Sequence, residues 1–199
     1  MEEQKRYSCV KKTKKNFEDS LSALAKEYPL SKITVKSLCQ KAELSRNAFY
    51  FHYKDIYDLV EEIENEFLDE VKGFLSDFRE MGFPKNVLAT IKSMVILFYE
   101  RKDTSLMLLD TSFSSTFVPR LVKIFGDFNF EYYKAFHKTN KRATYDLFYT
   151  FISTGFYGMV REWLLSDEPI SVDRFVSLTY IMIKRLLVLG DPDIQYNVK

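Results

Sequence analysis

The chain has 199 residues, 46% of them hydrophobic, with only 6 glycines and 5 prolines; this is enough for one compact body, or a small domain joined to a larger one, and argues against a strand-rich fold. The net charge of +1 hides two unlike parts: residues 1–54 carry 12 Lys+Arg against 6 Asp+Glu, and the remainder carries 17 against 22. A basic head on an acidic body points to a polyanion that meets the head alone. No apolar run approaches the ~18 residues of a membrane span. The opening stretch "MEEQKRYSCVKKTKKNF" has no apolar segment of the secretory type. Cys9 and Cys39, 30 residues apart, fit no metal or redox spacing, and a reduced cytoplasmic setting is expected.

In chain order, the spacing predicts a first helix over 11–28, with Phe17, Leu21, Leu24 and Ala25 on one face and Pro29 closing it. Thr34 caps a second helix running to about Ala42, with Leu38 and Ala42 inward. Ser45 caps a third, after the short connection "AELS". A long fourth helix starts at Lys54-Asp55. Its apolar positions from Ile56 to Phe78 recur every three or four residues, for a length on the order of 33 Å. The stretch "EMGFPKN" over 80–86 is the best break. Helices then follow over about 85–101, 103–111, 115–137, 142–165 and 172–189, the last ended by Gly190 and Pro192. The expected class is all-α, with about nine helices.

The stretch "SRNAFYFHYK", residues 45–54, holds more rings than one face of a short helix can bury. Phe49 and Tyr53 are four apart and share a face, which meets Leu38, Ala42 and Leu44 in a small core. That leaves Arg46, Asn47, Tyr50, Phe51, His52 and Lys54 outside. They are donors for phosphate and groups that touch base edges. Two short helices, a tight turn and a basic-aromatic outer face on the second describe a helix-turn-helix.

The longer stretch "ITVKSLCQKAELSRNAFYFHYKDIYDLVEEI" resembles the DNA-binding head of TetR-family (TetR/AcrR-like) transcriptional regulators. Ile33-Thr34, Ala42, Leu44-Ser45, Phe49-Tyr50 and His52-Tyr53 match the family pattern position by position, within a resemblance spanning roughly residues 10–65. It implies that Thr34 and Lys36 start the first motif helix against the phosphate backbone. Ser45, Arg46, Asn47 and Ala48 would face the major groove, Tyr50 and His52 would bind phosphates, and Lys54 would anchor the backbone. Two residues depart from the pattern. Glu43 stands where the family has glycine, which brings a carboxylate near DNA and costs roughly 1 kcal/mol if the position is left-handed. Ile56 stands where the family has lysine, which removes one backbone contact.

The fourth helix carries Glu61, Glu62, Glu64, Glu66, Asp69 and Glu70, read as a solvated face rather than a metal site. The aromatic body is expected to hold a cavity for a flat or hydrophobic effector, with Met94, Phe98, Met107, Phe117, Phe151 and Trp163 as candidate lining. Gly155 and Gly158 each cost about 1 kcal/mol in a helix, a cost that close approach of another helix justifies. With Phe148, Met159, Leu178, Ile181 and Met182 they form the candidate dimer interface, on the two helices that the resemblance assigns to a four-helix contact between protomers. Catalysis is not expected: His52 and His137 are the only histidines, and no GxSxG, GxGxxG or phosphate loop occurs. No cofactor or metal is expected.

The expectation is a homodimeric regulator with a DNA-binding domain over 1–54 and an effector-binding and dimerisation domain over 55–199. It would act as a repressor on a pseudo-palindromic operator in double-stranded DNA, under control of a hydrophobic or aromatic small molecule. The alternative is a protein of the same fold with weakened DNA binding, serving as an interaction or small-molecule-binding module.

Overall fold

The computed structural model describes residues 2–81, 87–137 and 142–189. Among the described residues there are nine α-helices and no strand. They are α1 Glu2–Ala25, α2 Val35–Ala42, α3 Arg46–His52, α4 Ile56–Met81, α5 Val87–Glu100, α6 Lys102–Leu109, α7 Phe117–His137, α8 Arg142–Leu165 and α9 Val172–Leu189. A 3-10 turn over Leu30–Lys32 follows Pro29. The all-α class holds. Helix α1 differs from its expected span: it starts at Glu2 and stops at Ala25, three residues short of Tyr28. Most of the break over 80–86, and the stops at Gly190 and Pro192, lie outside the described residues.

The chain forms two compact units. The first runs up to Asp69 and adds Arg101–Val118, so α1, α2, α3, most of α4, and α6 belong to it. Its centre is Phe17, Leu21, Leu38, Phe49, Phe67 and Phe117, all fully buried. Phe17 meets Phe49 edge-on at 5.4 Å between ring centroids and Tyr53 at 6.2 Å. Phe67 meets Phe117 edge-on at 5.2 Å. Such ring pairs add about 0.5–1.5 kcal/mol beyond their area.

Three polar groups also knit this unit. The buried Glu18 carboxylate accepts from Arg101 Nη2 at 2.6 Å and from Thr104 Oγ1 at 2.9 Å, joining α1 to α6. Lys26 pairs with Asp103 at 2.7 Å on the same seam. Glu64 corrects the expected solvated face of α4: it is 4% exposed and accepts from Ser114 Oγ and from Thr116 Oγ1.

In the second unit, from Glu70 to Glu100 and from Pro119 onward, α5 lies against α9 with α8 beside both. Trp163 is the hinge of this packing. Its ring stacks on Phe175 at 4.4 Å and on Tyr99 at 5.4 Å, and its Nε1 donates to the Ile170 carbonyl at 2.8 Å.

Candidate nucleic-acid interface

The motif helices are set by local rules. Thr34 accepts the Ser37 N–H at 3.1 Å, and Ser37 Oγ accepts the Thr34 N–H at 3.0 Å, a reciprocal cap on α2. Helix α2 closes at Glu43, which is left-handed at φ 54° and ψ 37°. The Glu43 N–H reaches the Gln40 carbonyl and the Leu44 N–H reaches that of Cys39, a Schellman closure. Glutamate in place of glycine there costs roughly 1 kcal/mol. Ser45 Oγ then accepts the Ala48 N–H at 3.1 Å and starts α3. The Thr34 and Ser45 hydroxyls are therefore committed to capping, while their residues remain exposed.

Helix α3 divides as its periodicity predicts. Phe49 and Tyr53 are buried, over Leu38 and with Leu44 half-buried. Arg46, Asn47, Tyr50 and Phe51 are exposed, Phe51 to 73%, whereas Ala48 and His52 are half-buried. Lys36 and Lys54 are exposed as well. Cys39, read in the sequence only as a cysteine without metal or redox spacing, packs behind the turn with its Sγ 3.7 Å from the Ser45 carbonyl. Burial pushes this thiol up, partly offset by Arg46.

The inner end of α3 is locked to its neighbours. The Tyr53 hydroxyl donates to Glu62 Oε1 at 2.8 Å, and Lys14 Nζ meets Glu62 Oε2 at 2.8 Å. Burial and the Glu62 hydrogen bond push the Tyr53 phenol far up, so it stays a donor. Beside it, burial and the Lys14 charge hold His52 below the usual imidazole range, only partly countered by Glu62. The start of α4 is capped by Asp55, whose Oδ1 accepts the Asp58 N–H at 2.9 Å; Asp58 in turn accepts the Lys54 N–H at 2.9 Å. Ile56 is buried, so it serves the core.

The effector candidates are not gathered in one unit. Met107 and Phe117 are buried in the first, and Met94, Phe98 and Trp163 are buried in the second. Phe151 is 68% exposed on α8 and faces no interior of its own unit. An apolar ring on a bare helix face carries the same sequence signal as a core ring, and periodicity does not separate them.

The dimer candidates share exposed faces. On α8, Gly155 and Gly158 are exposed and Phe148 and Met159 half-buried; on α9, Leu178, Ile181 and Met182 are 44%, 50% and 43% exposed. A Cβ added at Gly155 or Gly158 meets nothing within 4 Å. Leu147, 77% exposed and unpredicted, extends the α8 stripe one turn before Phe151. Its signal was the spacing 147, 151, 155, 158, which follows one helix face.

Among the described residues no group of three His, Cys, Asp or Glu could hold a metal, and no helix is long and apolar enough to cross a membrane. Residues 85–185 match a TetR family model described as "Transcriptional regulator C-terminal region". No curated protein matches the sequence. The fold is similar to a TetR transcriptional regulator from Streptococcus agalactiae, with TM-score 0.60 and 19% identity, over 94% of this chain and 98% of that one. A TetR-family regulator from Syntrophomonas wolfei gives TM-score 0.65 and 14% identity, over 89% and 96%. The dihydroxyacetone kinase operon activator DhaS gives TM-score 0.55 and 12% identity, over 89% and 95%.

Proposed function

Because the chain belongs to the TetR family of transcriptional regulators, we propose that it binds double-stranded DNA sequence-selectively, as a cytoplasmic homodimeric repressor released by a small-molecule effector. Residues 1–54 act as the reading head and residues 55–199 as the effector-binding and dimerisation part. The observation that carries this reading is the division of α3, with Phe49 and Tyr53 sealed inward while Arg46, Asn47, Tyr50 and Phe51 stand in solvent.

Arg46 and Asn47 in the first turn supply the bidentate donors and acceptors that distinguish base edges. Tyr50, His52, Lys36 and Lys54 supply phosphate contacts, which fix register without reading sequence. Thr34 and Ser45 act by capping the helices that carry these groups. Two heads of a dimer enter successive major grooves about 34–36 Å apart. Dimerisation uses the Gly155 and Gly158 face of α8 together with Leu178, Ile181 and Met182 of α9. An effector works only through unequal affinity for DNA-competent and incompetent states.

A second reading keeps the fold and gives up tight DNA binding. It is favoured by Glu43, a carboxylate in the turn beside α3, and by Ile56, buried where the TetR pattern has a lysine. Titration of the protein on its own upstream DNA at several salt concentrations separates the two. Selective binding with a steep salt slope supports the regulator. Equal, weak binding to upstream and random duplexes overturns it in favour of the second reading.

A further inference from the structure

From Ser8 to Asn16, α1 holds no fully buried side chain. Among the described residues its first fully buried side chain is Phe17, yet the helix starts at Glu2, about four turns earlier. Residues 2–15 contain Lys5, Arg6, Lys11, Lys12, Lys14 and Lys15 against Glu2 and Glu3. The next lysines of α1 have acidic partners, Lys14 on Glu62 and Lys15 on Glu18 and Asp19, and Lys26 just past its end pairs with Asp103. Lys11 and Lys12 are exposed, and neither has an ion pair among the described residues.

The contacts of α1 give its direction relative to α4. Lys14 meets Glu62. One turn further on, Glu18 meets Arg101, whose guanidinium lies 5.1 Å from the Phe67 ring centre. Going forward along α1 is therefore going forward along α4. Going back from Lys14, whose Nζ is 5.8 Å from the Tyr53 ring centre, leads toward the start of α4 and the residues just before it, His52 at the end of α3 and Lys54. Lys11 and Lys12 thus lie on the side where the head carries its other candidate phosphate-binding groups.

We infer that the Lys11–Lys12 stretch of α1 is a second phosphate-contacting element, gripping duplex backbone that flanks the segment read by α3. The inference rests on the DNA-binding reading above and extends its contact surface to a helix outside the motif. Two adjacent lysines held on an ordered helix gain by displacing counterions from a duplex, and this gain is blind to sequence. Their contribution is affinity and a wider footprint, without selectivity.

The test compares the full-length protein with the double variant Lys11→Gln/Lys12→Gln on a mixed-sequence duplex and on the tightest duplex selected from a random pool. The log-log salt slope should fall by about two per bound head, at about 0.9 per lost contact, with the ratio of the two affinities unchanged. Lys11→Arg/Lys12→Arg should keep the wild-type slope, and so should Lys92→Gln on α5. Unchanged melting of the Gln variant ties the effect to binding. A wild-type slope in the Gln variant overturns the inference and leaves the DNA-binding reading standing. Absence of any salt-dependent duplex binding by the wild type overturns both.

Discussion

Phe49 and Tyr50 are adjacent in sequence with ring centroids 5.5 Å apart, yet Phe49 is fully buried and Tyr50 is 58% exposed. Replacing each therefore separates stability from binding. Phe49→Ala should cost about 3–5 kcal/mol in denaturant unfolding, since it empties the site beside Phe17 and Tyr53. Tyr50→Phe should leave unfolding within about 0.5 kcal/mol. It should weaken selected and random duplexes alike by about 1.5–3 kcal/mol, as expected for one hydrogen bond to phosphate. A Tyr50→Phe protein that unfolds early but binds normally would contradict the assigned face.

Arg101 neutralises a carboxylate with almost no access to water. Burial alone would raise the Glu18 pKa, but the Arg101 hydrogen bond and charge, helped by Lys15 and Thr104, hold it below the usual range. Because the folded value lies below the unfolded one, near 4.3, this contribution to stability is complete above that pH. It is lost as pH falls through the folded value. Arg101→Met should destabilise by about 3–5 kcal/mol at neutral pH, by stranding the charge. The loss should shrink toward acid, where Glu18 is protonated, and melting curves at neutral and acid pH check both parts.

His52 gives binding a pH signature of its own. Burial and Lys14 lower its pKa, so the free protein holds it neutral at pH 7. A phosphate placed against the ring favours the protonated form, so binding takes up a proton as pH falls from the pKa of the complex toward the lowered pKa of the free protein. Duplex affinity should rise as pH falls through that region. In His52→Gln this proton-linked rise should vanish while the neutral-pH complex persists. An identical pH profile in the variant would remove His52 from the phosphate contacts.

Association through α8 and α9 predicts an unusual tolerance. The space beyond Gly155 and Gly158 is open in the protomer, so Gly155→Leu/Gly158→Leu should fold with undiminished helix signal. Gly removal from a helix should even stabilise the isolated protomer by roughly 1 kcal/mol per site. Sedimentation at micromolar concentration should show the wild type as a dimer and the variant as a monomer. A wild-type monomer would end the dimer proposal.

Much of the head was legible because its rules are short-range. Thr34 and Ser45 cap helices whose donors lie three residues away, and the inward step from Phe49 to Tyr53 spans a single turn. The first turns of α1 were not legible: residues 2–10 have no apolar stripe, so periodicity begins only where Phe17 finds a partner. Glu64 was misread for the opposite reason. Its sequence neighbours are acidic and solvated, whereas its hydrogen-bond donors, Ser114 and Thr116, come from a turn 50 residues on. Phe151 shows a third case, since an exposed ring on a helix is indistinguishable by pattern from a buried one.

The Glu64 contact has a consequence for how the first unit comes apart. Lifting the turn that holds Ser114 and Thr116 off α4 would leave a carboxylate in an apolar interior with both donors withdrawn, so partial separation is dearer than complete rupture. Amide hydrogens of α4 around Glu64 and of the opening turn of α7 should therefore exchange with solvent at one shared rate, as a single cooperative block, although half a hundred positions of chain lie between them.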